Sequence, residues 1–171
     1  SGLPGMLIGK ILATVVSLGC VISVSAQGLY VSVPMHLKSA RTYYVTGQIA
    51  GTDPEEFMVD TGSSYTTINE NTLAKLQAKG RSRYLRDLVA IMANGKEMVV
   101  PVYRISNIDI GGACNLDNVE VAVFPAKTRQ ILGLSALSKA SPFQFSVDPP
   151  ELRLSNCHTS ESEQPVTLDL S

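Results

Sequence analysis

Between Arg41 and Leu154 the chain is cut into short runs of β-branched and aromatic residues by strong turn formers. The cuts are Gly51–Thr52–Asp53–Pro54, Ala93–Asn94–Gly95, Gly111–Gly112 and Asp148–Pro149–Pro150. Such runs are too short for long helices, and Gly, Pro, Asn and Asp at the breaks each favour chain reversal. Arg41–Ala50 and Glu56–Asp60 flank the first break and read as a hairpin. Leu88–Met92 and Lys96–Ile105 flank Asn94–Gly95, a pair that tolerates positive φ and so joins antiparallel strands tightly. Ile108–Ile110 and Val119–Phe124 read as two further strands, the second alternating as Val119, Val121, Val123 with Glu120 facing the other way. Gly28–Leu37 reads as an edge strand, Tyr65–Ile68 as a short β-prone piece, and Phe143–Val147 and Leu152–Leu154 as the last strands. Helical spacing is confined to Asn71–Lys79, capped by Asn71, and to Ser135–Ala140, capped by Ser135 and stopped by Pro142. Many short strands without a βαβ rhythm predict an all-β small barrel or sandwich and argue against a parallel sheet.

With 171 residues the chain suits one domain, and a net charge of −1 excludes wholesale binding of nucleic acid. Lys75, Lys79, Arg81, Arg83 and Arg86 cluster around Gly80 and read as a solvated basic loop. Three Cys and two His do not make a zinc module. Cys157 and His158 are sequence neighbours whose side chains diverge on extended backbone, which makes His158, like His36, a poor catalytic base. Ile11–Ala26 carries no charge, follows Lys10 and ends in Val24–Ser25–Ala26, the layout of a secretory signal. With Leu7 and Ile8 it approaches the length of a membrane anchor. The expected organisation is therefore an expression scar plus signal peptide or anchor over 1–26, one domain over 27–159 and a polar tail over 160–171. Export would place Cys114 and Cys157 where they could pair; two free buried thiols are the alternative.

The chemistry centres on Phe57–Met58–Val59–Asp60–Thr61–Gly62–Ser63–Ser64. Three apolar residues deliver a carboxylate to the end of a buried strand, and Gly62 lets the chain turn and bring an N–H beside it. A strand ending at a surface turn, with Asp60 accepting N–H bonds, explains the tripeptide equally well. The wider pattern separates the two readings. The loop Asp60–Thr61–Gly62–Ser63, the hairpin at Asn94–Gly95 beginning 34 residues later, and Ile131–Leu132–Gly133–Leu134 before a short helix stand in one order. Together they resemble the retropepsin-like aspartic peptidases, the one-domain relatives of pepsin, over roughly Tyr43–Leu154, and are most similar to bacterial periplasmic or membrane-associated members.

That resemblance implies an all-β small closed barrel with one short helix in its C-terminal half. It implies a homodimer in which two Asp60 carboxylates share a proton and activate water to hydrolyse an extended peptide, with no metal or other cofactor. By position, Thr61 would bond its mate across the two-fold axis and Gly62 would offer its C=O to substrate. Ser63 would donate to the outer oxygen of Asp60 and lower its pKa. Ala93, Asn94 and Gly95 would form the flap. Ile131, Leu132 and Gly133 would form the second signature, with Gly133 admitting the catalytic loop where a Cβ would clash. The expected location is periplasmic, free or anchored through residues 7–26. Ser64 and Tyr65 stand where the family often has an Asp. The alternative function is a catalytically silent peptide-binding or assembly module of the same fold.

Overall fold

The computed structural model describes residue 2 and residues 30–158. The signal or anchor expected in residues 1–26 and the tail expected over 160–171 lie outside the described residues. Among the described residues eleven strands and two α-helices follow one another. The strands are β1 (Val31–Pro34), β2 (His36–Lys38), β3 (Thr42–Ile49), β4 (Glu55–Val59), β5 (Thr66–Asn69), β6 (Ser82–Ile91), β7 (Glu97–Ile110), β8 (Cys114–Phe124), β9 (Ile131–Leu132), β10 (Gln144–Val147) and β11 (Pro150–Leu154). Helix α1 (Glu70–Ala78) follows β5, and α2 (Leu134–Leu137) follows β9.

The eight-stranded sheet runs β2-β3-β4-β9-β5-β8-β7-β6, and β3 also pairs with β7 through Gly47–Ile49 against Ile108–Ile110. A smaller sheet, β1-β11-β10, packs beside it. The all-β closed barrel expected from the sequence is not what forms. The sheet is mixed: β4–β9 and β5–β8 are parallel, the other pairs antiparallel, and helices contribute. The β3–β7 pairing makes a ring of strands, but β2 and β6 lie outside it as edges. The ring is thin where β9, two residues long, meets β5 through the single pair Thr67↔Ile131. No βαβ rhythm announces the parallel pairs, because the chain between β5 and β8 returns through α1 and the long β6–β7 hairpin.

Alternation places the core. Val100, Val102, Ile105, Ile108 and Ile110 of β7 are buried, with Val119, Val121 and Val123 of β8 and Phe57 and Val59 of β4. Ala122 is buried as well, so β8 is covered on both faces near its end. Three local expectations change. Asn69, not Asn71, caps α1, accepting from the Thr72 N–H at 3.0 Å. Arg83 and Arg86 are strand residues of β6 instead of loop residues. Ile108–Ile110 continues β7 without a break. Among the described residues no helix is long and apolar enough to cross a membrane.

Candidate active site

Phe57 and Val59 anchor β4 in the core, so Asp60 leaves the strand half-buried at its end. Parallel pairing to β9 holds this end from the side. The Met58 N–H donates to the Gln130 C=O at 3.0 Å and the Asp60 N–H to the Leu132 C=O at 3.1 Å. The loop then closes on itself: the Gly62 N–H donates to Asp60 Oδ1 at 2.9 Å, and the Ser63 N–H to the Asp60 C=O at 3.2 Å. A backbone donor thus orients the carboxylate.

The second signature lies directly beneath. The Leu134 N–H donates to the Ser63 C=O at 2.8 Å. A Cβ built on Gly133 would stand 2.3 Å from Tyr65 O and 2.8 Å from Ser63 O, so two backbones meet at a separation only glycine permits. Buried Thr66 bridges the same place: the Gly133 N–H donates to Thr66 Oγ1 at 3.1 Å, and the Thr66 N–H donates to Ser135 Oγ at 2.8 Å. Ser135 thus ties β5 to β8 and is not a helix cap; its hydroxyl donates to the Glu120 C=O at 2.6 Å, and Gly133 occupies the cap position of α2.

A cleft of about 760 Å³ opens over Asp60, Gly62 and Ser63. The hairpin β6–β7 walls it through Leu88–Ala93, and Ala122, Phe124 and Ile131 line it as well. Of the flap residues expected from sequence, Ala93 lines the cleft while Asn94 and Gly95 sit exposed at the tip, where the Gly95 N–H donates to the Met92 C=O at 2.8 Å. Leu132 is fully buried and Thr61 is exposed. Ser63 departs from its expected role: its hydroxyl donates to the Tyr65 C=O at 2.7 Å, not to Asp60. The loop turns its side chain back on its own backbone.

The sequence reading gave no site role to Arg86, Arg104, Glu120 or Arg129. Arg86, from β6, donates to the Tyr65 hydroxyl at 2.7 Å and to Glu120 Oε2 at 2.9 Å, tying the hairpin to the loop after Asp60. Arg104 stands 3.5 Å from the same carboxylate. The Arg86 hydrogen bond holds the Glu120 carboxyl below the usual carboxylate range, against the opposing effect of partial burial. Arg129 lines the cleft next to β9. Nothing distinguished Arg86 among five neighbouring cations; Arg129 could have been noticed, because it stands two residues before the second signature.

Cys114 and Cys157 are joined as a disulfide, with Cα atoms 4.7 Å apart, tying the start of β8 to the chain beyond β11. Neither lines the cleft, and neither does His36, paired with Glu56, or His158, 3.7 Å from Asp117. Among the described residues no three His, Cys, Asp or Glu side chains gather as a metal site would.

An Asp-Thr-Gly loop pinned by a parallel neighbour, with a glycine contact below and a β-hairpin above, defines the retropepsin-like class of aspartic peptidase folds. Residues 45–139, more than half of the chain, match the family described as "gag-polyprotein putative aspartyl protease", and the chain belongs to that family. Among solved structures it is similar to a retropepsin-like aspartic protease from Rickettsia conorii, with a TM-score of 0.55 and 20% identity over 74% of this chain and 92% of that one. At that identity the likeness shows the fold. No curated protein matches the chain.

Proposed function

We propose that the protein is an aspartic endopeptidase whose catalytic centre forms when two copies bring their Asp60 carboxylates together. The observation that carries this reading is the Asp60 carboxylate held by the Gly62 N–H at 2.9 Å on the floor of the hairpin-walled cleft. Among the described residues Asp60 is the one carboxylate lining that cleft, and hydrolysis by this route needs two, roughly 3 Å apart and sharing a proton. The second comes from a second chain across a two-fold axis.

In the pair, two like charges so close together cannot both ionise freely, so the dyad shares a single proton. The ionised carboxylate takes a proton from water as it attacks the scissile carbonyl. The protonated partner donates a hydrogen bond to the carbonyl oxygen and stabilises the tetrahedral species. Thr61 bonds its mate beside the dyad, Gly62 offers its C=O to the peptide backbone, and the hairpin excludes water as it closes. The substrate is an extended peptide recognised first through its backbone, as a strand laid in a sheet-edged groove is.

We place the reaction in the periplasm, with residues 7–26 as export signal or anchor. The Cys114–Cys157 disulfide supports an oxidising compartment.

The test is subunit mixing. Asp60→Asn alone should lower kcat by roughly 10³-fold, the scale of a lost general base, with an unchanged circular dichroism spectrum. Adding an equal amount of Asp60→Asn chain to a fixed amount of the native protein, with full exchange, should halve the rate approximately, because half the native chains then meet a crippled partner. A rate indifferent to the added variant would rule out the shared dyad. Peptide binding without cleavage by the native chain would point to the silent binding module instead.

A further inference from the structure

We infer that Arg129 makes this cleft selective for peptides that carry a carboxylate side chain within two residues of the scissile bond. The inference rests on the reading of Asp60 just given and adds a substrate class to it.

The cleft is apolar along most of its walls: Leu88, Val89, Ile91 and Met92 on the hairpin, with Phe124 and Ile131 from β8 and β9. Among the described residues two charged side chains line it, Asp60 and Arg129. The position of Arg129 is set by its neighbours. Gln130 is buried, and its C=O accepts from the Met58 N–H, so the backbone beside Arg129 is locked to β4. The guanidinium Nη1 reaches Met58 Sδ at 3.6 Å. Met58 and Asp60 are two residues apart along one extended segment and share a face, separated by about 7 Å. A substrate strand laid over Asp60 repeats its same-face side chains at that same spacing. The guanidinium thus lies against the strand that ends at Asp60, and both charged side chains line one cleft.

Arg129 is also uncommitted. Among the described residues it makes no ion pair, whereas Arg86 and Arg104 pair with Glu120 and Arg153 with Glu151. A thioether is a weak acceptor, so most of the five N–H donors of the guanidinium remain to be satisfied. A planar fork of donors matches a carboxylate in two parallel hydrogen bonds. Apolar walls sharpen the choice, because substrate binding expels water and strengthens a matched charge while penalising a like one.

The test is a set of peptides sharing one apolar sequence, with Glu, Gln or Lys placed in turn at each of the two positions on either side of the cleaved bond. At one position at least, the native protein should cleave the Glu peptide with kcat/KM roughly tenfold above the Gln peptide, and the Lys peptide below both. Arg129→Gln should bring the Glu to Gln ratio near one, and Arg129→Glu should favour Lys. The preference should fade as the pH drops below about 4, where a Glu side chain of ordinary pKa loses its charge.

Binding of the same peptides to the Asp60→Asn variant, followed by fluorescence anisotropy, keeps the two readings apart. A Glu preference in binding that Arg129→Gln removes supports the assignment even when no peptide is cut, a result that would count against Asp60 alone. Equal treatment of Glu and Gln in both cleavage and binding overturns it, as does a Glu preference that survives Arg129→Gln.

Discussion

At the scale of single residues, the loop after β4 depends on one missing atom. Gly133 lies so close to Tyr65 O and Ser63 O that a methyl group has no space, and the obstructing atoms are backbone. Gly133→Ala should therefore cost about 3 kcal/mol, the upper end for overpacking, read as a lower urea midpoint, with activity lost as the loop shifts. Ser63 behaves differently from its sequence expectation. Because its hydroxyl is spent on Tyr65 O, Ser63→Ala should cost about 1 kcal/mol of stability and leave the acid limb of the pH–rate profile in place. A profile displaced upward would show that Ser63 reaches Asp60 during the proposed reaction. Asp60, Gly62 and Gly133 were legible in the chain because their residue types and order are chemically restrictive. The hydroxyl of Ser63 was not, since a short rotor selects between nearby acceptors only once the loop has closed.

Among elements, the hairpin β6–β7 and the loop carrying Asp60 are connected by a polar strap. Arg86 of β6 joins Tyr65 to Glu120 of β8, and Arg104 of β7 approaches the same carboxylate. Since Glu120 titrates lower when folded than when unfolded, the strap stabilises above the unfolded value of about 4.3 and weakens as pH falls through the lower folded value. Arg86→Ala should move the Glu120 carboxyl titration, followed by NMR, upward toward its ordinary range, and KM should rise more than kcat falls as the hairpin loses its anchor. An unmoved Glu120 titration would show that Arg104 alone sets it. The hairpin itself was foreseeable from Asn94–Gly95 between apolar runs, although it extends back to Ser82 and forward to Ile110. Its extra length was hidden because Arg81, Arg83 and Arg86 read as solvated charge, and a strand edge beside a cleft tolerates such charge.

For the whole molecule, the Cys114–Cys157 link closes a loop with a sequence separation of 43 and fastens β8 to the end of the chain. Loop-closure entropy sets its worth at about 4 kcal/mol. Replacing both cysteines with alanine should lower stability toward denaturant by that order. The ratio of kcat/KM between Glu and Gln peptides should stay as it is, because neither cysteine lines the cleft. Loss of peptide discrimination in that variant would mean that the link shapes the cleft from a distance. On the proposed two-chain centre, activity per chain should also rise with concentration, since each chain offers one carboxylate to the cleft. A specific activity independent of dilution, down to concentrations where sedimentation finds monomers, would contradict the two-chain centre.

The chain alone determined the short strands, the hairpin over the cleft and the carboxylate at a strand end, because these follow from turn chemistry and side-chain alternation between residues near one another in sequence. Tertiary structure alone decided that the sheet is mixed and its ring of strands no closed barrel. Parallel pairing of β4 with β9 and of β5 with β8 joins segments far apart in the chain, and no local period encodes it. The same long-range pairing sets Arg129 beside Met58, on the strand that ends at Asp60, and brings Arg86 to Tyr65. Those contacts exist only after remote strands have met, which is why composition and spacing could nominate the carboxylate but not its neighbours.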